Sequence, residues 1–246
     1  MKSGDHQIAE ACESLASIID SERDARTRMR HCRQALGLAR EALQKAEQLT
    51  DEDMRAVQST LRVAQRASHG FCDTNAPMTK LAAIRMERLG FDRLPIICET
   101  KPKRVITDAA CLAIADSELP ENCLETHAAI AALNEGRYLL ASVGADGAYS
   151  VLLRHLDADE PFLNPQEYKK VVETSPPFRL NVSTGRVLFG ALDCITKGVV
   201  LPIDNGIYQG QLVSLRSGRG LKFVATLVRG GGTADPFYQL PEFREP

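Results

Sequence analysis

The segment 178–229 constrains the fold more than any other part of the chain. Short apolar runs alternate there with the turn sequences at 183–185, 204–206 and 217–220, which are rich in Gly, Ser, Asn and Asp. Apolar and β-branched runs bounded by such turn residues are typical of antiparallel strands. We therefore predict that residues 178–229 form a five-stranded β-meander.

A seven-residue apolar repeat occupies residues 5–48 and is interrupted at Glu22. Apolar or small side chains fill two heptad positions, which are Ile8, Leu15, Met29, Leu36 and Leu43 at one and Ala11, Ile18, Ala25, Cys32, Ala39 and Ala46 at the other. Such a repeat is typical of helices that pack along a shared seam. We predict one long helix, or two with a kink near Ser21, and a second arm over residues 51–69.

These elements predict an α+β fold with two domains. Residues 1–72 form an N-terminal antiparallel helical hairpin. Residues 79–246 form a C-terminal domain, in which a twisted antiparallel β-sheet of six to eight strands carries flanking helices on one side. Within it, residues 107–115 are alanine-rich and predict a helix, and residues 138–153 predict a β-hairpin around a Gly-rich turn.

Composition excludes several classes of function. The formal net charge of -2 at pH 7 predicts no general affinity for nucleic acid or for an anionic membrane. We find no apolar stretch of about 18 residues and no apolar secretory segment at the N-terminus. The chain has seven cysteines, an odd number, and most lie inside apolar runs, which indicates reduced thiols. We expect a cytoplasmic protein that does not bind membranes.

Two sets of residues are candidates for contact with a partner. The first is a basic segment of five arginines, Arg23, Arg26, Arg28, Arg30 and Arg33. Because residues 1–70 contain no aromatic side chain for base stacking, a solvated face or a docking face for an acidic protein fits better than nucleic acid. The second set is aromatic, Tyr208, Phe237 and Tyr238. The tail at 235–243 is predicted to pack onto the sheet, with a partner-binding peptide as the alternative.

The sequence contains no recognisable catalytic motif. A Gly-x-Ser-x-Gly elbow, a P-loop and a His-Glu-x-x-His pair are all absent. Cys123 and His127 lie four residues apart on a predicted helix over residues 120–134, but a structural zinc site needs four ligands and no second pair has matching spacing. We predict no catalytic residue, metal or cofactor. The alternative is a hydrolase or transferase whose site assembles near Cys194 and His155.

Two runs inside residues 178–229 follow a recurrent pattern. Residues 183–189 read Ser-Thr-Gly-Arg-Val-Leu-Phe, and in residues 199–208 an apolar-Pro strand is followed by Gly206 and Tyr208. The pattern resembles β-domains found among immunity proteins of bacterial toxin systems. The resemblance implies a non-enzymatic protein that neutralises a cognate toxin by binding it directly. A third hypothesis, besides this one and the hydrolase or transferase, is a scaffold that forms a homodimer through residues 5–69.

Overall fold

The computed structural model describes residues 6–68, 72–117, 119, 123, 126–218, 220–230 and 236–243. The chain divides into two compact units. The helical unit is drawn from residues 1–93 and 163–171, and the β unit is drawn from residues 94–162 and 172–245. The separation of helices from a mostly antiparallel set of strands confirms the predicted α+β class.

The described part of the helical unit contains four long helices, α1 (His6–Ser21), α2 (Ala25–Gln44), α3 (Asp51–Ala67) and α4 (Asn75–Arg88). Two short helical segments, Ala46–Gln48 and Pro165–Tyr168, accompany them. The chain leaves the helical conformation between α1 and α2, as one of the two sequence alternatives predicted, because Asp24 caps α2 by accepting from the Thr27 amide at 2.7 Å. None of the helices described is long and apolar enough to cross a membrane.

Helix α2 carries two apolar stripes that differ in burial. Its buried stripe consists of small side chains, which are Cys32, Ala35, Ala39 and Ala42. Small side chains let α1 and α3 approach closely, and α3 packs against both α1 and α2. The other stripe, Leu36 and Leu43, is only partly buried. The heptad repeat therefore predicts the buried positions of Cys32 and Ala39 but not the exposure of the two leucines.

A buried ion pair joins α4 to α3. The Arg85 side chain is 2% exposed, and its Nε and Nη2 atoms donate to the two Asp51 oxygens at 2.7 and 3.0 Å. Its Nη1 atom donates to the Gln58 oxygen at 2.7 Å. Helix α3 begins at a capping box, in which Thr50 and Asp53 bind each other's backbone amides. These contacts fix α4 beside the start of α3.

Eleven strands, one α-helix and one 3₁₀ segment, Leu192–Lys197, are described in and next to the β unit; the strands and the α-helix are named here. In chain order they are β1 (Ile96–Glu99), β2 (Lys103–Thr107), β3 (Cys111–Ala115), α5 (Thr126–Asn134), β4 (Tyr138–Ser142), β5 (Gly147–Leu156), β6 (Val171–Thr174), β7 (Phe178–Val182), β8 (Arg186–Ala191), β9 (Val199–Pro202), β10 (Gly206–Ser217) and β11 (Gly220–Arg229). A seven-stranded sheet has the order β1-β5-β11-β10-β6, with β2 also on β5 and β7 also on β10. A four-stranded sheet has the order β4-β3-β8-β9.

The topology corrects three predictions. The five strands of residues 178–229 are present, but β8 and β9 belong to the small sheet and β7, β10 and β11 to the large one, so they do not form a continuous meander. Residues 138–153 form no hairpin, because β4 pairs with β3 while β5 pairs with β11 in parallel. Residues 107–115 contain the end of β2 and all of β3 rather than a helix. The strands therefore form two sheets instead of one sheet of six to eight strands.

The two sheets of the β unit share one hydrophobic core, to which the C-terminal segment contributes. Phe237 and Phe243 are buried in it, and the Phe243 ring meets Phe223 edge-on at 5.3 Å. Asn134 holds the Phe237 backbone by two hydrogen bonds, at 2.7 and 3.0 Å. The prediction that the tail packs onto the sheet is confirmed for these two aromatics. Gly210 faces the same core at a point of close approach, where an added Cβ would lie 2.4 Å from the Phe178 ring.

Candidate functional site

An open groove lies between α2 and α4 in the helical unit. Its volume is about 410 Å³. It is lined by residues of α2, of α4 and of the segment before α4, which are Arg33, Leu36, Arg40, Leu43, Cys72, Asp73, Ala76, Pro77 and Lys80. Five of these side chains are exposed, namely Arg33, Arg40, Asp73, Ala76 and Lys80. The groove is therefore accessible to another molecule along its length.

The floor of the groove is apolar. Leu36 and Leu43 lie seven residues apart on α2, which is close to two full turns, so both side chains project from the same face. Pro77 and Ala76 of α4 face them across the groove. Helices α1 and α3 cover the alanine stripe of α2. The leucine stripe is therefore a second apolar face of α2, and the fold leaves it partly uncovered.

The rim of the groove is basic. Arg33 and Arg40 are also seven residues apart on α2, and Lys80 is on α4. Among the residues that the structure describes, none of these three cations forms an ion pair. Asp73, the one carboxylate among the lining residues that the structure describes, accepts a hydrogen bond from the backbone amide of Asn75 at 3.2 Å. The described rim therefore carries three cations and one carboxylate, which leaves positive charge in excess.

Of the five arginines singled out in the sequence, only Arg33 lines the groove. Arg23 precedes α2, and Arg26 and Arg30 are exposed on α2 outside the groove lining. Arg28 is partly buried and donates to the Glu22 carbonyl at 3.3 Å. The other groove residues are not among the predicted site residues, although the arginines at 33 and 40 and the leucines at 36 and 43 share a seven-residue spacing that marks one helix face.

The three aromatic candidates lie in different environments. Tyr208 is fully buried, and its hydroxyl donates to the Asp204 carbonyl at 2.8 Å. Phe237 is buried in the core of the β unit, whereas Tyr238 is 86% exposed. Of the three, Tyr238 alone presents its ring for contact with another molecule.

His155 is a buried neighbour of Tyr208. The two rings meet edge-on with centroids 5.4 Å apart. The imidazole Nε2 atom is buried and has no hydrogen-bond partner within the described chain. Burial and the nearby Arg229 guanidinium lower the pKa of His155 below its ordinary value. The imidazole is therefore neutral at pH 7 and enclosed by the β unit.

Cys194 lies in the short 3₁₀ segment Leu192–Lys197. Burial and the adjacent Asp193 carboxylate raise the pKa of the Cys194 thiol. Its charged neighbours include Asp193, Lys197 and Asp108, whereas the charges that shift the pKa of His155 are Arg229, Asp157 and Asp204. A nucleophilic cysteine needs a lowered pKa and a nearby base. The surroundings of Cys194 therefore do not favour the predicted hydrolase or transferase alternative.

Several other thiols share this character. Burial raises the pKa of Cys32 and of Cys111 to about 11. Cys123 is buried and His127 is exposed, so the two are in unlike environments; most of residues 120–125, the start of the predicted helix, lies outside the described residues. Within the part of the chain that the structure describes, no group of three or more His, Cys, Asp or Glu side chains could hold a metal ion.

Comparison with known proteins gives two matches, both by structure. No protein-family model and no curated protein matches the chain. ComJ of Bacillus subtilis, an inhibitor of the DNA-degrading activity of NucA, aligns at 15% identity over 54% of this chain and 98% of its own, with a TM-score of 0.38. The product of crocagin biosynthetic gene J aligns at 13% identity over 55% of this chain and 100% of its own, with a TM-score of 0.40. One of the two is thus an inhibitor, the class that the sequence resemblance indicated, but at these TM-scores the likeness carries no argument about function.

Proposed function

We propose that this protein is a non-enzymatic protein-binding protein of the immunity type, which neutralises a cognate toxin by binding it through the groove between α2 and α4. The observation that carries the proposal is the groove itself. A leucine stripe, Leu36 and Leu43, lies beneath three cations that have no ion-pair partner in the described chain.

This arrangement has the anatomy of a protein interface. Interfaces combine an apolar centre, where most of the binding energy arises, with a charged rim that remains in contact with water. Rim charges increase the rate of association with a partner of opposite sign. Arg33 and Arg40 are suited to this role, because a guanidinium can bind a carboxylate through two parallel hydrogen bonds.

The state of the cysteines supports action in the cytoplasm. All seven are free thiols, including the neighbouring pair Cys32 and Cys72 in the helical unit. Disulfides are rare in reducing compartments, and a chain with seven unpaired cysteines is suited to a reducing compartment. We place the neutralised toxin in the same compartment.

Co-expression with the product of the neighbouring gene tests the function. The expected result is a complex that survives purification and protects the host from the toxin. The double variant Arg33→Glu/Arg40→Glu should lose both, while the control variant Arg23→Glu/Arg30→Glu, with the same charge change outside the groove, should keep both. Absence of any complex, or equal effects of the two variants, contradicts the proposal.

Self-association through residues 5–69 remains a prediction, favoured by Ile18, which is 41% exposed on α1. Light scattering at several concentrations of the full chain distinguishes a monomer from a homodimer. If a dimer forms, Ile18→Glu should dissociate it, whereas loss of the dimer in Arg33→Glu/Arg40→Glu instead assigns the groove to self-association.

A further inference from the structure

Resting on the proposed function, we infer that the partner segment bound in the groove is an amphipathic α-helix whose acidic side chains recur every seven residues beside an apolar stripe. Recognition by laying a helix into an apolar groove is one of the common modes of peptide binding. Three features of the groove distinguish this occupant from an extended peptide and from nucleic acid.

The first feature is the spacing of the groove residues. Arg33 and Arg40, and likewise Leu36 and Leu43, are separated by seven residues, or about 10.5 Å along α2. A second helix aligned with α2 repeats at the same distance, so two carboxylates seven residues apart can meet both arginines at once. Side chains on one face of a β-strand recur at about 6.7 Å, which does not match this interval.

The second feature is the shape of the groove. Its walls are two helices, α2 and α4, and a third helix fills the space between two others by packing its side-chain ridges into their grooves. Elsewhere in the same unit α2 already packs in this way, with α1 and α3 against its alanine stripe. The partly buried leucine stripe is the kind of surface that one amphipathic helix presents to another.

The third feature is the chemistry of the floor and rim. Three cations select for acidic side chains, and Lys80 on α4 allows the bound helix to be held from both walls. Nucleic acid would place phosphates against an apolar floor, and none of the lining residues that the structure describes has an aromatic ring on which a base could stack. The formal net charge of -2 also gives no general attraction for a polyanion.

A pair of synthetic peptides tests the inference on the full-length protein. Both carry a leucine stripe over about three heptads, with Glu at one flanking heptad position in the acidic peptide and Lys in the basic peptide. Fluorescence anisotropy should show that the acidic peptide binds and that the basic peptide binds at least about tenfold more weakly. The variant Arg33→Glu/Arg40→Glu should bind the basic peptide more tightly than the acidic one. The variant Leu36→Ser/Leu43→Ser should bind both peptides more weakly than wild type does.

Two controls separate charge and folding from recognition. Arg23→Glu/Arg30→Glu makes the same charge change at exposed positions outside the groove and should leave acidic-peptide binding unchanged. Circular dichroism should give every variant the wild-type helical signal. A version of the acidic peptide with two central prolines should bind at least about tenfold more weakly, because proline interrupts a helix.

Several results overturn the inference. These are no binding by the acidic peptide, equal binding by its proline version, or displacement of it by a DNA duplex at equal charge concentration. If the acidic peptide fails while groove variants still abolish neutralisation of the toxin, the helix inference is wrong and the proposed function stands. If the peptide binds but the groove variants still neutralise the toxin, the groove binds helices and the proposed function is wrong.

Discussion

Replacing Asp51 with asparagine should destabilise the helical unit strongly, although the carboxylate is one-third exposed. The substitution keeps the shape of the side chain but removes the charge that faces the buried Arg85 guanidinium at 2.7 and 3.0 Å. Breaking a buried ion pair from one side costs about 3–5 kcal/mol. We expect about 3 kcal/mol here, because Arg85 keeps its 2.7 Å hydrogen bond to Gln58.

The partner substitution gives the sharper test. Adding Arg85→Met to Asp51→Asn removes the buried charge, so the double variant should regain about 1–2 kcal/mol relative to Asp51→Asn alone. The gain is incomplete because the Gln58 oxygen loses its donor. Since α4 forms one wall of the groove, Asp51→Asn should also weaken binding of any groove ligand.

Urea unfolding followed by circular dichroism at 222 nm measures these differences, since the signal there is dominated by the helical unit. The hydrogen bonds from Arg85 lower the pKa of Asp51 below its ordinary 3.8. A lowered folded pKa means that the stabilisation is present above the unfolded pKa and is lost as the pH falls through the folded pKa. Wild type should show this loss below about pH 4, and Asp51→Asn should not. A loss under about 1 kcal/mol for Asp51→Asn, or further destabilisation by Arg85→Met, would show that Arg85 does not depend on the Asp51 charge.

Three further predictions concern the β unit. Gly210→Ala should lower the free energy of unfolding in urea by about 1–3 kcal/mol, because the new Cβ would lie 2.4 Å from Phe178 and 2.9 Å from Leu227. An unchanged midpoint of the urea unfolding curve would contradict this close approach. Phe243→Ala should cost about 3–5 kcal/mol, because the Phe243 ring is 1% exposed. Tyr238→Ala should change stability by less than about 0.5 kcal/mol, because the Tyr238 ring is 86% exposed. Similar losses for the two variants would be inconsistent with the packing of the tail. Burial lowers the pKa of His155 below its ordinary 6.5, so the free energy of unfolding should be highest above pH 6.5 and fall as the pH drops through the folded pKa. His155→Leu should lessen this fall. Identical pH profiles for the two proteins would argue against a buried neutral imidazole.

Local sequence patterns predict most strands but not their partners. The turn at 183–185 and the apolar run after it locate β8 correctly, because glycine and short polar residues end strands locally. Which strand pairs with which depends on contacts distant in sequence. Residues 138–153 look like a hairpin, yet Ser142 pairs across to Cys111 on β3 while Val151 pairs with Phe223 on β11.

Alanine content misled the interpretation of residues 107–115. Alanine is the best helix former, but intrinsic propensity is weak compared with burial. All five residues of β3 are buried, and the chain turns back before it at Ala110, which has a φ of 45°. The Asp146 side chain accepts a hydrogen bond from the Ala110 amide at 2.8 Å and so fixes that turn.

The groove was only partly predictable. The arginine-rich segment directs attention to the right helix, since Arg33 lines the groove. The heptad repeat nevertheless assigns Leu36 and Leu43 to a buried seam, because periodicity identifies a face and does not say which neighbour covers it. The cation at Lys80 comes from a different helix, and only the packing of α4 against α2 and α3 brings it to the same site.

Isothermal titration of the full-length protein with the purified product of the neighbouring gene decides whether the groove is the binding site. We predict a measurable complex whose affinity falls at least about tenfold in Arg33→Glu/Arg40→Glu and is unchanged in the charge-matched variant Arg23→Glu/Arg30→Glu. Equal affinities for wild type and the groove variant would contradict the claim that recognition takes place between α2 and α4.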